Sequence, residues 1–171
     1  AAGVLAGTSA ITYTCNTGCI ATTTLTVNPV PAAIPGTAAV CFGLTTSLSD
    51  VTAAGVWSSS NGNATIGSST GVVTGSGVGN SIITYTLPAT GCIATVVATV
   101  NPLPANITGT LAVCEGLTTS LSSTSAGGTW TSTSLANATI DVATGVATGV
   151  LAGTSVITYT LGTGCITTNT L

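Results

Sequence analysis

The sequence predicts an all-β protein in which β-sandwich repeats of about 73 residues stack head to tail. Three observations support this fold class. The same residues recur at a fixed spacing along the whole chain. Short runs rich in Thr, Val and Ile alternate between two faces and are separated by Gly, Pro and Asn turns, as in antiparallel strands. No segment combines a helical apolar period with helix caps, so we expect no helix.

The repeat length follows from landmark residues. Trp57 and Trp130 are 130 − 57 = 73 positions apart. The first 25 residues and the stretch 147–171 are near copies of each other, at an offset of 147 − 1 = 146, which is twice 73. We therefore predict three units: the C-terminal strands of a partial repeat at 1–28, a complete repeat at 29–101 and a nearly complete repeat at 102–171.

A repeat of this length has room for about seven short strands with a turn every 8–12 residues, which is typical of a small β-sandwich. In the complete repeat, five stretches have the composition of strands: Thr45–Ser49, Gly55–Ser59, Thr70–Gly75, Ser81–Leu87 and Cys92–Val100. The turn Pro88–Gly91 joins the last two strands into a hairpin.

Aromatic side chains are predicted to anchor the cores. Strict alternation in Ser81–Leu87 places Ile83, Tyr85 and Leu87 on one face of that strand. The two tryptophans stand at equal repeat positions within strand patterns, which favours a core position over a sugar-stacking surface. The predicted anchors are Trp57, Trp130, Tyr13, Tyr85 and Tyr159.

Short proline linkers separate the repeats. Asn28-Pro29-Val30-Pro31 recurs 73 positions later as Asn101-Pro102-Leu103-Pro104. Each proline fixes its own φ and favours an extended conformation for the residue before it. Pro29, Pro31, Pro102 and Pro104 therefore predict semi-rigid spacers, and successive sandwiches are expected to form a rod.

The charge content excludes several functions. Charged residues are 2% of the chain, with three acids and no Lys, Arg or His. Without cations there is no electrostatic surface for nucleic acid or anionic lipid. Without His or Lys, most general-base and Schiff-base chemistry is missing, so we expect no enzyme and no cofactor. No apolar run reaches the 18 or so residues of a spanning helix, so we expect no membrane insertion.

Two long stretches resemble a known family. Residues 55–86 (GVWSSSNGNATIGSSTGVVTGSGVGNSIITYT) and 127–160 (GGTWTSTSLANATIDVATGVATGVLAGTSVITYT) are similar to the bacterial immunoglobulin-like group 2 repeat, with its W-[ST]-S, A-T-[IV], G-V-[VA]-T and I-T-Y-T segments. The flanking motifs resemble repeats of giant Bacteroidetes-type cell-surface, adhesin or filament proteins. The resemblance implies immunoglobulin-like sandwiches outside the cell, at the bacterial surface. It carries no catalytic residue.

In an extracellular β-protein, the six cysteines predict structural disulfides. Pairing within a repeat would join Cys41 to Cys92 and Cys114 to Cys165. In an immunoglobulin-like sandwich, however, the end of the first strand and the start of the last lie at opposite poles, too far apart for a disulfide. The favoured pair is therefore between repeats, Cys41–Cys165. Cys19, Cys92 and Cys114 would then pair with other repeats or chains, and Cys15 would close on Cys19, cross-link to another chain or remain free.

The three carboxylates do not suggest a metal site. Asp50, Glu115 and Asp141 occupy non-equivalent repeat positions, whereas a repeated calcium site would need several convergent oxygen ligands in each unit. We expect solvated loop acids and no metal.

The expected function is structural. The uncharged Thr- and Ser-rich surfaces, proline linkers and disulfides indicate a segment of an extracellular filament, stalk or fibre whose partner is itself, as a homopolymer or as neighbouring repeats of one long chain. Either the sequence is a window on a long repeat protein, or residues 1–27 complete a neighbouring subunit by β-strand addition. The alternative is an adhesin module whose loops bind a glycan or a host or abiotic surface.

Overall fold

A computed structural model describes residues 2–36 and 38–171; residues 1 and 37, which fall inside the predicted repeats 1–28 and 29–101, lie outside it. The described residues form sixteen β-strands and no helix. The first two strands are β1 (Gly7–Thr14) and β2 (Ile20–Val27). The middle seven are β3 (Ala38–Cys41), β4 (Thr45–Ser47), β5 (Val56–Ser59), β6 (Ala64–Ile66), β7 (Val72–Gly75), β8 (Gly79–Thr86) and β9 (Ile93–Asn101). The last seven are β10 (Thr108–Gly109), β11 (Thr118–Ser122), β12 (Thr129–Ser132), β13 (Ala138–Ile140), β14 (Val146–Gly149), β15 (Val156–Thr160) and β16 (Ile166–Thr170).

The strands form two sandwiches and one separate hairpin. The middle sandwich packs a four-stranded sheet of order β3-β9-β8-β5 on a three-stranded sheet of order β4-β7-β6. The last sandwich has sheets of order β10-β11-β14-β13 and β12-β15-β16. Strands β1 and β2 pair only with each other in the described part of the chain. The predicted all-β sandwich class is confirmed, while the predicted unit boundaries stay a prediction.

Alternation along β8 shows why these residues form a sandwich. Ser81, Ile83 and Tyr85 point into the core, and the residues between them face outwards. Val, Ile and Thr suit such a half-buried pleated strand because their branched side chains pack well on its surface. The antiparallel partner β9 places Ala94 opposite Tyr85, so a small residue on one strand leaves room for a large one on the next.

The sequence placed Cys41 at the end of a first strand, but neither the bounds nor the pairing of strand β3 was predicted. It adds to β9 in parallel, with Cys41 opposite Asn101, and the chain then crosses to the other sheet as β4. The predicted strand Thr70–Gly75 begins later, at Val72, because Gly71 has a φ of 68° and belongs to the preceding turn. A positive φ of this kind favours glycine.

The hairpin corrects one predicted core anchor. Tyr13 is 72% exposed, whereas Tyr85 and Tyr159, which occupy the same position in the other two repeats, are 6% and 5% exposed. In both sandwiches the tyrosine packs on a tryptophan with ring centroids 4.6 Å apart. No described residue supplies that tryptophan to the hairpin, so its inner face stays open.

Matched substitutions test this difference. Ile83 is fully buried, while Ile11, its counterpart in β1, is 45% exposed. We expect Ile83→Ala to lower the free energy of unfolding by about 2–5 kcal/mol, because it removes buried methyl groups and leaves a cavity. Ile11→Ala should change it by less than about 0.5 kcal/mol. Urea unfolding followed by tryptophan fluorescence measures both, and equal losses would contradict the open face.

Candidate functional site

The candidate site is the junction between the two sandwiches. In each sandwich, a buried tyrosine hydroxyl binds a corner loop, and this loop holds the linker that enters the same sandwich. In the middle sandwich, the Tyr85 hydroxyl donates to the Thr52 carbonyl at 2.6 Å and accepts from the Gly55 amide at 2.9 Å. The Thr52 hydroxyl in turn accepts from the amide of Ala32 at 2.9 Å. The linker entering this sandwich is therefore tied to its aromatic core through one loop.

The same contacts recur in the last sandwich. The Tyr159 hydroxyl donates to the Ser125 carbonyl at 2.6 Å and accepts from the Gly128 amide at 2.9 Å. The Ser125 hydroxyl accepts from Ala105, just after the linker, at 2.9 Å. A Cβ added at Gly128 would overlap the Tyr159 ring, so the close approach of ring and backbone requires glycine here. The same contacts therefore hold the start of both sandwiches.

The linker prolines divide into two kinds. Pro31 and Pro104, the second proline of each linker, are buried against the sandwich that follows. Pro29 and Pro102 are exposed. The second proline therefore belongs to the packed structure of a repeat, and the exposed first proline stiffens the short connection before it.

A disulfide joins the two sandwiches at this junction. Cys41, at the end of β3, bonds to Cys165, and their Cα atoms are 5.6 Å apart. This is the pair favoured from the sequence, and it links residues 124 positions apart. The alternative pairs within a repeat are not formed: Cys92 and Cys114 are free thiols.

The Cys165 side of the bond lies in a tight turn between β15 and β16. Leu161 N–H donates to the Cys165 carbonyl and Gly164 N–H donates to the Leu161 carbonyl, both at 2.9 Å, with a φ of 83° at Gly164. Thr163 and Gly164 line a groove of about 230 Å³ with residues of the middle sandwich, including Leu44 and Asn101. Cys165 is 1% exposed, so the junction buries this turn's sulfur.

The remaining four cysteines are unpaired thiols in the structure. The Cys92 sulfur lies 4.0 Å from the Asn28 carbonyl oxygen, at the first linker. Cys15 and Cys19 flank the hairpin turn between β1 and β2 without bonding to each other, and Cys19 is exposed.

The Cys15 thiol has an altered acidity. The Thr17 hydroxyl lies 2.9 Å from the Cys15 sulfur, and the Cys19 backbone amide donates to the same sulfur at 3.1 Å. Hydrogen bonds to a thiolate favour the charged form. Led by the Thr17 hydroxyl, these contacts lower the pKa of Cys15 to about 7. About half of this thiol is therefore thiolate at neutral pH.

The acidity of Cys15 is testable by alkylation. Because the thiolate is the nucleophile, the rate of reaction with iodoacetamide should rise with pH and reach half its maximum near pH 7. Thr17→Val removes the hydroxyl and should move this midpoint to higher pH. Thr17→Ser keeps the hydroxyl and should leave the midpoint near pH 7. The measurement is mass spectrometry of the peptide containing Cys15 between pH 5 and 10. An unchanged midpoint in the valine variant would refute the role of Thr17.

The three carboxylates lie apart and play local roles. The Asp141 carboxylate accepts from the Thr144 hydroxyl and from the amides of Thr144 and Ala143, and these bonds, the hydroxyl first, lower its pKa. Glu115 accepts from the Ala152 amide at 2.7 Å. No group of three or more His, Cys, Asp or Glu side chains able to hold a metal occurs in the part of the chain that the structure describes.

Asp50 marks a difference between the two junctions. It occupies the position of Ser123, 73 residues away. The Ser123 hydroxyl donates to the Ala105 carbonyl of the linker at 3.0 Å. One Asp50 oxygen accepts from the Thr52 amide at 2.7 Å, but the other is buried without a hydrogen-bond partner. A carboxylate has no proton with which to bind the equivalent carbonyl of Ala32.

Exchanging these residues should change stability in opposite directions. Asp50→Ser introduces a hydroxyl donor and removes an unpartnered buried oxygen, so we expect a gain of about 1 kcal/mol. Ser123→Ala leaves the Ala105 carbonyl without its donor and should cost about 1 kcal/mol. Denaturant unfolding at pH 7 measures both. A loss of stability in Asp50→Ser would show that its carboxylate makes a favourable contact.

Comparisons with known proteins support the fold but do not assign the chain to a protein family. No protein-family model and no curated protein matches the sequence. Among solved structures, a 282-residue C-terminal fragment of intimin, in complex with the intimin-binding domain of the translocated intimin receptor, superposes with a TM-score of 0.51 at 15% identity, covering 84% of this chain and 64% of that fragment. This likeness shows an immunoglobulin-like β-sandwich fold and nothing of function.

Two further matches score lower. Domains 1–6 of the surface layer protein SbsC match over 98% of this chain and 31% of theirs, with 15% identity and a TM-score of 0.32. Immunoglobulin domains 1–5 of Sidekick-1 match over 96% and 44%, with 10% identity and a TM-score of 0.33. The described residues contain no helix long and apolar enough to cross a membrane.

Proposed function

We propose that this chain is a structural repeat segment of an extracellular filament, stalk or fibre at a bacterial cell surface. One observation carries the proposal. The junction between the two sandwiches is crossed twice by covalent bonds, by the linker 101–104 and by the disulfide Cys41–Cys165. Two separate connections restrict rotation at a junction far more than one linker does. Neighbouring repeats therefore keep a fixed relative orientation, as a rod requires.

The surface supports assembly with copies of the same repeat. Three carboxylates and no cationic side chain give little electrostatic repulsion between copies. The outer face of the β12-β15-β16 sheet places Thr131, Thr158 and Thr168 side by side on neighbouring strands. Such a neutral face suits another neutral protein surface and offers nothing to nucleic acid. The proposed partner is the chain itself, and the role requires no catalysis and no cofactor.

The compartment is inferred from the disulfide. Disulfides of this kind persist outside the reducing cytosol. The absence of Lys and Arg also leaves no cleavage site for trypsin-like proteases, which suits a durable external structure.

An adhesin module is the second candidate. The loop between β5 and β6 has the sequence Ser60-Asn61-Gly62-Asn63. Its counterpart between β12 and β13 is one residue longer and contains Leu135, whose side chain is 65% exposed. Loops that vary on a constant scaffold are where binding specificity is usually found. The ligand would be a glycan or a host or abiotic surface.

Electron microscopy of the native, unreduced material tests the proposal. We expect regular fibres with an axial period of one or a few domains, which become more flexible when the disulfide is reduced. In solution, small-angle scattering of Cys41→Ser should show a wider range of domain orientations than Cys92→Ser, which removes an unpaired thiol. Discrete particles in place of fibres, together with binding on a glycan array, would favour the adhesin.

A further inference from the structure

The hairpin turn between β1 and β2 has the same conformation as the turn that forms the disulfide. Cys15 N–H donates to the Cys19 carbonyl at 2.8 Å and Gly18 N–H donates to the Cys15 carbonyl at 2.9 Å, with a φ of 84° at Gly18. The corresponding bonds in the turn 161–165 are both 2.9 Å, with a φ of 83°. Both turns end in Thr-Gly-Cys and have the same length. Cys19 therefore occupies in its turn the position that Cys165 occupies in the other.

Part of the surface that receives the turn is also present twice, although the described residues before Cys114 form no counterpart of strand β3. The sequence Val-Cys-Phe-Gly-Leu-Thr-Thr at 40–46 recurs as Val-Cys-Glu-Gly-Leu-Thr-Thr at 113–119. In the first copy, Leu44 N–H donates to the Cys41 carbonyl at 3.0 Å, and in the second, Leu117 N–H donates to the Cys114 carbonyl at 3.0 Å. The glycine of each copy, at 43 and 116, donates to a glycine carbonyl of the neighbouring strand at 2.8 Å.

One receiving surface is occupied and the other is free. The first holds the turn 161–165 through Cys41, whereas Cys114 is an exposed thiol on the second. The one change in sequence puts Glu115 in place of Phe42, which does not line the groove in the first copy, and the Glu115 carboxylate is hydrogen-bonded to the Ala152 amide. Among the described residues, the turn Cys15–Cys19 and the segment 113–119 thus each carry an unpaired cysteine, at different repeats.

We propose that the turn Cys15–Cys19 of one copy seats on residues 113–119 of a second copy, and that Cys19 and Cys114 form a disulfide equivalent to Cys165–Cys41. The occupant is a second copy because the two halves of the contact already meet within this chain, between segments of nearly the same sequence. A head-to-tail contact of this kind is heterologous, so repetition gives an open chain of subunits. The inference rests on the proposed fibre function and specifies how its subunits are joined.

The turn that contains Cys92 is a poorer candidate. Leu87 N–H donates to the Cys92 carbonyl, so the turn runs from 87 to 92 and is one residue longer than the other two. The Cys92 sulfur is also half-buried beside the Asn28 carbonyl of its own chain. It serves as the matched control thiol.

The bond requires an oxidant, which we take to be a low-molecular-weight disulfide such as oxidised glutathione. The thiolate of one cysteine attacks a glutathione sulfur, forming a mixed disulfide and releasing one glutathione thiolate. The thiolate of the second cysteine then attacks the protein sulfur of that mixed disulfide and releases the second. The two cysteines lose two electrons and two protons in total, and the glutathione disulfide is reduced to two thiols.

Complementation between two variants is the sharpest test. The full chain, with its Cys41–Cys165 bond formed, is incubated in a glutathione redox buffer and separated without reduction. We expect a ladder of covalent oligomers for the unmodified chain and for Cys92→Ser, and monomer alone for Cys19→Ser or Cys114→Ser. An equimolar mixture of Cys19→Ser and Cys114→Ser should stop at the dimer, because each partner has only one competent thiol. Both substitutions lie at exposed positions, so folding is retained.

Mapping the bond completes the test. Chymotryptic peptides of the oligomers should contain Cys19 joined to Cys114. Oligomers joined through Cys92, a Cys15–Cys19 bond within one chain, or an unmodified chain that stays monomeric would each overturn the inference. Failure of the link is distinguishable from failure of the function. Native fibres without a Cys19–Cys114 bond would overturn only the link, whereas a Cys19–Cys114 bond in material that forms no fibres would overturn only the fibre role.

Discussion

The buried contact between one tryptophan and one tyrosine in each sandwich supports the rest of the molecule. Tyr85 and Tyr159 each pack on the tryptophan directly opposite on the neighbouring strand of the same sheet, and their hydroxyls bind the backbone of a corner loop. The loop fixes the linker through a Thr or Ser hydroxyl, and the linker sets where the next sandwich begins. At the junction beside Cys41, the linker 101–104 is held by the Tyr159 loop through the Ser125 hydroxyl.

A chain without cationic side chains must obtain its polar order from neutral hydrogen bonds. Hydroxyl groups of Ser, Thr and Tyr take the roles that ion pairs often play on other protein surfaces, and they bind backbone groups at close range. A buried hydroxyl can donate and accept, whereas a carboxylate only accepts. The single buried oxygen without a partner among the described side chains belongs to Asp50, one of the three acids. A protein with almost no charge can therefore still provide hydrogen-bond partners for nearly all of its buried polar side chains.

Sequence reasoning predicted the parts of the fold that depend on local alternation. In β8, each inward residue follows from a period of two, and the repeat length follows from landmark spacing. The parallel pairing of β3 was missed because its four residues pair with residues sixty positions away, which a local sequence pattern does not show. The hydroxyls of Thr52 and Ser125 were missed for a similar reason, since Thr and Ser are too frequent here to stand out. Tyr13 was placed in a core by the alternation of its strand, although its exposure depends on packing partners outside that strand.

The disulfide Cys41–Cys165 also determines how the chain responds to tension. A pulling force applied outside the bonded pair passes directly from one sulfur to the other, so the residues between them carry no load. The excluded loop spans 124 positions, which would otherwise add about 400 Å of extended chain. Most of the two sandwiches would therefore remain folded while the chain is stretched. A chain pulled at points outside residues 41–165 would therefore lengthen little while oxidised, and reduction would let these residues unfold under load.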